Sequence, residues 1–203
     1  LTSFASRGNP SLNSDKQWNA ASAHAIGAKP DASVEFDGHL AEINFVDGQA
    51  LSPTDFGEFD TSGVWQPKKY SGAHGTNGFH LDFKDNSSNA ALGYDAAGSN
   101  NWTVNNLTAL AQSTYGISFD GNDKVTFPGM ALGTGDLTFE CFFKMDSGTS
   151  GFRRILSRTD GGSGNDMIIR VHSNGYMQWY FDSQEHTGST TVTAGVWHHS
   201  AIV

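Results

Sequence analysis

A chain of 203 residues is long enough for one large β domain or portions of two, and its 24 glycines, 12% aromatic and only 16% charged residues describe a turn-rich chain with many rings to bury. A net charge of −9 argues against nucleic acid as a partner, because phosphate binding needs clustered Lys and Arg. The single cysteine, Cys141, excludes an intrachain disulfide and fits a reducing site of synthesis, while no apolar run approaches the ~20 residues of a membrane-spanning helix.

In chain order, the first local signal is Ser52 ahead of Pro53, which predicts one short turn within SPTDFGEF. Convincing helix periodicity is missing elsewhere. Residues 52–77 are dense in Gly, Pro, Ser, Thr and Asp and have no sustained period, so they are expected to be a connector. Phe56, Phe59, Trp65 and Tyr70 within it predict a segment packed on neighbouring domains, since a freely swinging linker is mainly Gly and Ser.

Strand signals follow at GISF and KVTF, and then at LTFECFFKM, where Leu137, Phe139, Cys141, Phe143 and Met145 share one face and Thr138, Glu140 and Lys144 the other. Cys141 is therefore expected in the core. After RRIL, the run MIIRVHSNGYMQWYF places Asn174-Gly175 between two β-rich segments, a hairpin signal of the type I′ kind. Alternation there sets Tyr176, Gln178 and Tyr180 opposite Met177, Trp179 and Phe181, with Trp179 assigned to the core. The last strand signal is VWHHSAIV, in which the adjacent His198 and His199 face opposite sides and so do not chelate one ion together.

Two stretches resemble pieces of one fold. FDGHLAEINFVDGQALSPTDF, through Phe36, Gly38, Leu40, Glu42, Ile43, Phe45, Ala50, Leu51 and Ser52, resembles the end of a laminin-G-like (concanavalin A-like) jelly roll. Most of residues 78–203 resembles its front half, with an Asp-x-x-Gly-x-Asn loop at Asp95, Gly98 and Asn100, then the SFDG, LTFECFFK and GVWHH strands. The resemblance implies an all-β antiparallel β-sandwich with parts of two units: 1–51 the rear of a first jelly roll, 52–77 the connector, and 78–203 the truncated front of a second. A start at Leu1 instead of Met fits a window cut from a longer tandem array, the preferred reading; the alternative is that residues 1–47 fold back within one chain to complete the 78–203 half, as in a circular permutant.

The block from Phe45 to Leu107 is in addition similar to tandem jelly-roll proteins of marine bacteriophage virions, of the cyanophage tail-fibre or particle kind. That resemblance implies a non-enzymatic structural and adhesive component on the phage particle surface, whose partners are other copies of itself, other virion proteins and host cell-surface glycans. The alternative is a carbohydrate-binding or adhesion module of a secreted, extracellular bacterial protein. A β-glucan hydrolase ranks third. Hydrolases of this fold class carry carboxylates as Glu-x-Asp-x-x-Glu along one strand; here Glu35 and Asp37 begin such a pattern, Glu42 falls outside its spacing, and Glu140 has no partner on its own strand.

Candidate glycan-binding residues are the aromatic Trp102, Tyr176 and Tyr180, beside the basic Arg153 and Arg154, which suit an acidic glycan or an acidic neighbour. Each also has an ordinary structural role, in a core or on a solvated hairpin edge. For metal, Asp120, Asn122 and Asp123 offer oxygen ligands in a tight turn, the chemistry Ca²⁺ prefers, and Asx residues serve equally as turn formers. The pair His80 and Asp82 shares a strand face, as a surface pair would. Calcium is the one cofactor considered, and no catalytic residue is assigned.

Overall fold

The computed structural model describes residues 23–31, 34–108, 112–113, 116–127, 136–146, 151–158, 167–181 and 184–203. No α-helix occurs among them, only 3-10 turns at Pro53–Asp55 and Ala90–Gly93. The first is the turn predicted at Ser52, whose side chain and that of Asp55 cap it reciprocally.

In chain order the strands are β1 (His24–Ile26), β2 (Asp37–Asp47), β3 (Gly57–Phe59), β4 (Trp65–Pro67), β5 (Phe79–Leu81), β6 (Thr103–Asn105), β7 (Gln112–Ser113) and β8 (Gly116–Asp120). They continue with β9 (Lys124–Phe127), β10 (Leu137–Met145), β11 (Arg153–Arg158), β12 (Met167–Val171), β13 (Tyr176–Phe181), β14 (Gln184–Thr191) and β15 (Trp197–Ile202). They build one sheet in the order β14-β13-β12-β11-β1-β9-β6 and a second in the order β15-β10-β2-β8-β7, with β5 also on β2; β3 and β4 form a separate hairpin. All these pairings are antiparallel.

This arrangement corrects the partition into two units. β1 lies between β9 and β11, and β2 between β10 and β8, so the segment expected to close one jelly roll completes the same sandwich that residues 78–203 build. The reason is the cost of an open strand. Without β2, β10 would present unpaired amides and carbonyls along Leu137–Met145, and the apolar faces on either side would lose their cover.

The alternation predicted for LTFECFFKM holds. Phe139, Cys141, Phe143 and Met145 point inward, meeting Phe36, Leu40, Ile43 and Phe45 of the β2 segment and, from the facing sheet, Ile26, Leu156, Ile169 and Trp179. Side chains of this size, fully removed from water, each contribute about 1.5–3 kcal/mol.

Two backbone details matter for the outer face. The register of β2 on β10 passes from Asn44 opposite Glu140 to Ala41 opposite Phe142, so Glu42 and Ile43 together oppose Cys141. Glu42 takes a φ of 49°, which a non-glycine residue adopts only under constraint. The bulge also divides β2 between neighbours: β8 pairs before it, from Asp37 to Leu40, and β5 after it, from Ile43 to Phe45.

The hairpin between β12 and β13 forms as expected, but its turn differs. Of Asn174 and Gly175 only Gly175 has a positive φ, 85°, whereas a type I′ turn needs both. His172 N donates to Tyr176 O, Gly175 N donates to His172 O, and Asn174 Oδ1 caps Tyr176 N, a wider turn closed by a left-handed glycine.

The Asp95 loop serves as a brace. Asp95 Oδ1 accepts from His80 N and Ala97 N, its Oδ2 accepts from Asn100 N, and Asn100 Nδ2 donates to Gly78 O. The loop thereby holds β5 against the edge of β2, which sets His80 and Asp82 in place.

Candidate functional site

Residues 48–78 do not leave the domain. They fold back across the outer face of β10 and β15. Thr138, an outward residue of β10, donates from its hydroxyl to Gln49 O and accepts from Leu51 N. Phe56 is buried against Tyr70, and the β3–β4 hairpin lays the ring of Trp65 on the imidazole of His199, 5.7 Å between centroids. Gly57 is what lets the indole lie flat, because a Cβ there would run into the Trp65 ring. Of the connector's aromatic residues, Trp65 thus packs on the chain's own sheet, Phe59 stands edge-on against Trp65, and Phe56 packs on Tyr70.

Between this hairpin and the sheet lies an open groove of about 1190 Å³. Its apolar walls include Phe59, Val64, Trp65, Phe142, Val196 and Trp197, and Glu42, Asp82 and Lys84 are its charged side chains. Phe59 is 69% exposed, Val64 54% and Val196 49%, a cluster of exposed apolar groups of the kind that marks an interaction site.

A polar chain runs beneath the hairpin. Glu140 is fully buried; its Oε2 accepts from Asn44 Nδ2 at 2.9 Å, and its Oε1 lies 3.0 Å from His199 Nε2 without the alignment of a hydrogen bond. Asn44 Oδ1 is 3.0 Å from His74 Nε2, and the His74 ring stacks on His80 at 5.9 Å. His80 Nε2 then meets Glu42 Oε2 at 2.8 Å, and Lys84 Nζ meets Glu42 Oε1 at 3.0 Å.

The two carboxyl groups are driven apart. Burial pushes Glu140 above the ordinary carboxylate range, against the pull of His199 and Asn44, and the charge of Glu42 adds to the rise. For Glu42 desolvation also acts upward, yet the hydrogen bonds and charges of His80 and Lys84 outweigh it and hold it low. His74 is lowered by burial and then by the charge of His80.

The residues singled out from sequence fall elsewhere. Trp102 is not on a binding surface: it is 3% exposed and packs on Phe79 and Phe127 at 4.8 and 5.6 Å between centroids, because β6 closes the end of the core. Tyr176 and Tyr180 are half-buried on the outward face of β13, with Met177 and Trp179 in the core behind them, so they belong to the sheet opposite the groove. Arg154 is buried and Arg153 half-buried in β11, which corrects the expectation of an open basic cluster.

Asp120, Asn122 and Asp123 do meet in the β8–β9 turn. There Asp120 Oδ1 accepts from Asn122 N and Asp123 Oδ2 accepts from Asp120 N, the usual work of turn formers. Burial and the neighbouring Asp120 raise Asp123. No group of three or more His, Cys, Asp or Glu side chains suited to a metal occurs among the described residues.

Residues 119–203, which run from the end of β8 through β15, match the concanavalin A-like lectin/glucanases superfamily. No curated protein and no solved structure gives a match. The antiparallel sheets agree with a concanavalin A-like β-sandwich. In this concanavalin A-like sandwich, β2 and the connector that walls the groove lie outside the matched region.

Most of the groove is invisible to sequence reasoning. Glu140 has no partner on its own strand, and its partners prove to be Asn44, 96 residues earlier, and His199 on β15. The outward alternation of β10 is the one signal in the sequence. His80 and Asp82, expected as a pair, reach Glu42 and Lys84 respectively.

Proposed function

We propose that this chain is a non-enzymatic adhesion module that binds a glycan along the groove between the β3–β4 hairpin and the outer face of β10 and β15. The observation that carries this reading is the pairing of aromatic walls, the exposed Phe59 and the half-buried Trp65 and Trp197, with polar side chains in one open groove. The polar ends of Gln66, Asp82 and Lys84 share the groove with these rings, a combination in which side chains hydrogen-bond sugar hydroxyls while the sugar's apolar face rests on a ring. The lectin/glucanase match of residues 119–203 supports the same class of ligand.

The similarity of the Phe45–Leu107 block to tandem proteins of marine phage virions supports placing the module in a fibre or surface appendage. There it contacts host glycans, other copies of itself or other virion proteins. Hydrolysis is disfavoured because it needs two carboxyl groups open to one glycosidic bond. Glu140 is sealed under the connector, and both oxygens of Glu42 are engaged.

Binding to immobilised glycans, measured for the wild type and for Trp65→Ala, tests the groove: retention by the wild type and its loss in the variant are expected. Retention unchanged by Trp65→Ala overturns the site. Release of reducing sugar from laminarin, abolished by Glu42→Gln, overturns the non-enzymatic reading. Mass spectrometry of purified phage particles tests the location, and finding the chain only in a bacterial culture supernatant favours the secreted adhesion module instead.

A further inference from the structure

Charge sets which glycan the groove admits. Lys84 is the only Lys or Arg lining it among the described residues, and its Nζ lies 3.0 Å from Glu42 Oε1 and 3.5 Å from Asp82 Oδ2. Desolvation works against this ammonium, but the two carboxylates outweigh it and hold the proton more firmly than usual. At the rim, Lys144 Nζ is 5.9 Å over the Trp197 ring and 3.9 Å from Asp146 Oδ1.

The ammonium groups of Lys84 and Lys144 are therefore answered within the protein by the three carboxylates of Glu42, Asp82 and Asp146, while Lys68, beside the lining Pro67, donates its ammonium to Thr54 O at 2.9 Å. Inside the groove the carboxylates of Glu42 and Asp82 outnumber the single Lys84 ammonium, on a chain of net charge −9. A sulfate or uronate entering the groove has to displace an existing ion pair and meets repulsion from the remaining carboxylates. A neutral sugar meets neither obstacle and still gains the aromatic walls.

We infer that the groove selects uncharged glycan chains and turns away sulfated and uronic acid ones, a specificity that rests on the glycan reading above. Arg153 and Arg154 do not compensate, since they lie in the other sheet, half-buried and buried.

The test uses matched pairs on the intact chain: laminarin, dextran and mannan, each beside its sulfated form, at about pH 7.5 in low and high salt. The expected result is retention of at least one neutral glycan, with its sulfated partner roughly tenfold weaker in low salt and the gap narrowing once screening shortens the reach of the carboxylates to about 8 Å or less. Asp82→Asn keeps an oxygen for the Lys84 amide, which donates to Asp82 Oδ1 at 3.1 Å, but releases part of the Lys84 charge. It should raise binding of the sulfated glycan several-fold. Sulfated forms binding the wild type as tightly as their parents, or a sulfated-to-neutral ratio unmoved by Asp82→Asn, overturns the charge selection and leaves the glycan groove standing. No retention of any of the six overturns the groove reading and the selection together.

Discussion

Replacing Glu140 with Gln exchanges a buried carboxyl group for an amide of the same shape, so it isolates what the charge does to the fold. In the native protein burial raises the Glu140 carboxyl above its ordinary value of 4.5, and the unfolded chain restores that value. Between the two values the folded state binds more protons than the unfolded state, so stability falls as pH rises through that window. Each pH unit crossed costs about 1.4 kcal/mol, and the loss stops once the folded carboxyl has itself ionised.

The amide introduced by Glu140→Gln does not titrate. Below the window the two proteins should differ by less than about 1 kcal/mol, because the amide oxygen still accepts from Asn44. The Glu140→Gln protein should then gain on the wild type as pH rises. Glu140→Ala leaves Asn44 Nδ2 with Glu42 O as its acceptor but removes the carboxylate 3.0 Å from the half-buried His199, and should cost about 1–3 kcal/mol. Urea unfolding of the three proteins between about pH 4 and pH 8 measures these differences directly. Parallel stability curves for Glu140→Gln and the wild type, or a difference that moves toward the wild type with rising pH, would refute the assignment of a buried, reluctant carboxylate.

Trp102→Ala should lose about 3–5 kcal/mol as a core deletion, whereas Tyr180→Ala, on the outward face of β13, should lose far less; equal losses in a denaturant series would contradict the burial of Trp102. Gly38→Ala meets both a φ of 154° and a Cβ that runs into the Lys144 carbonyl, so it should uncouple the start of β2 from β10 and lower the thermal midpoint by several degrees; an unchanged midpoint counts against that register. Cys141 is free and fully buried, and burial, with the charge of Glu140, raises its thiol well above normal. Labelling by a thiol reagent should therefore proceed only as fast as the protein unfolds, and rapid labelling of the folded state would contradict it.

Local pattern carried the strand-level description a long way. Period-two alternation placed Phe139, Cys141, Phe143 and Met145 inward and Trp179 in the core, and Asn174-Gly175 marked a real hairpin, because side-chain direction along a strand depends only on the strand itself. Ser52 and Asp55 capped their turn for the same local reason. The resemblance to a concanavalin A-like jelly roll lay in such strand patterns too, and it led to the right class of sandwich.

Tertiary structure alone decided which strands share a sheet and what the outward residues do there. Nothing near Glu42 in the sequence announces its bulge, or that His80 and Lys84 will grip its two oxygens from 38 and 42 residues away. Trp102 has the same ring whether it faces a ligand or Phe79, and only the closing of β6 on β9 settles the choice. The order of the pieces suggested two separate jelly rolls, but β1 and β2 belong in the middle of the two sheets. A strand's pairing partner is chosen by the edges and apolar faces left uncovered elsewhere in the fold, which is a property of the whole sandwich and not of the segment.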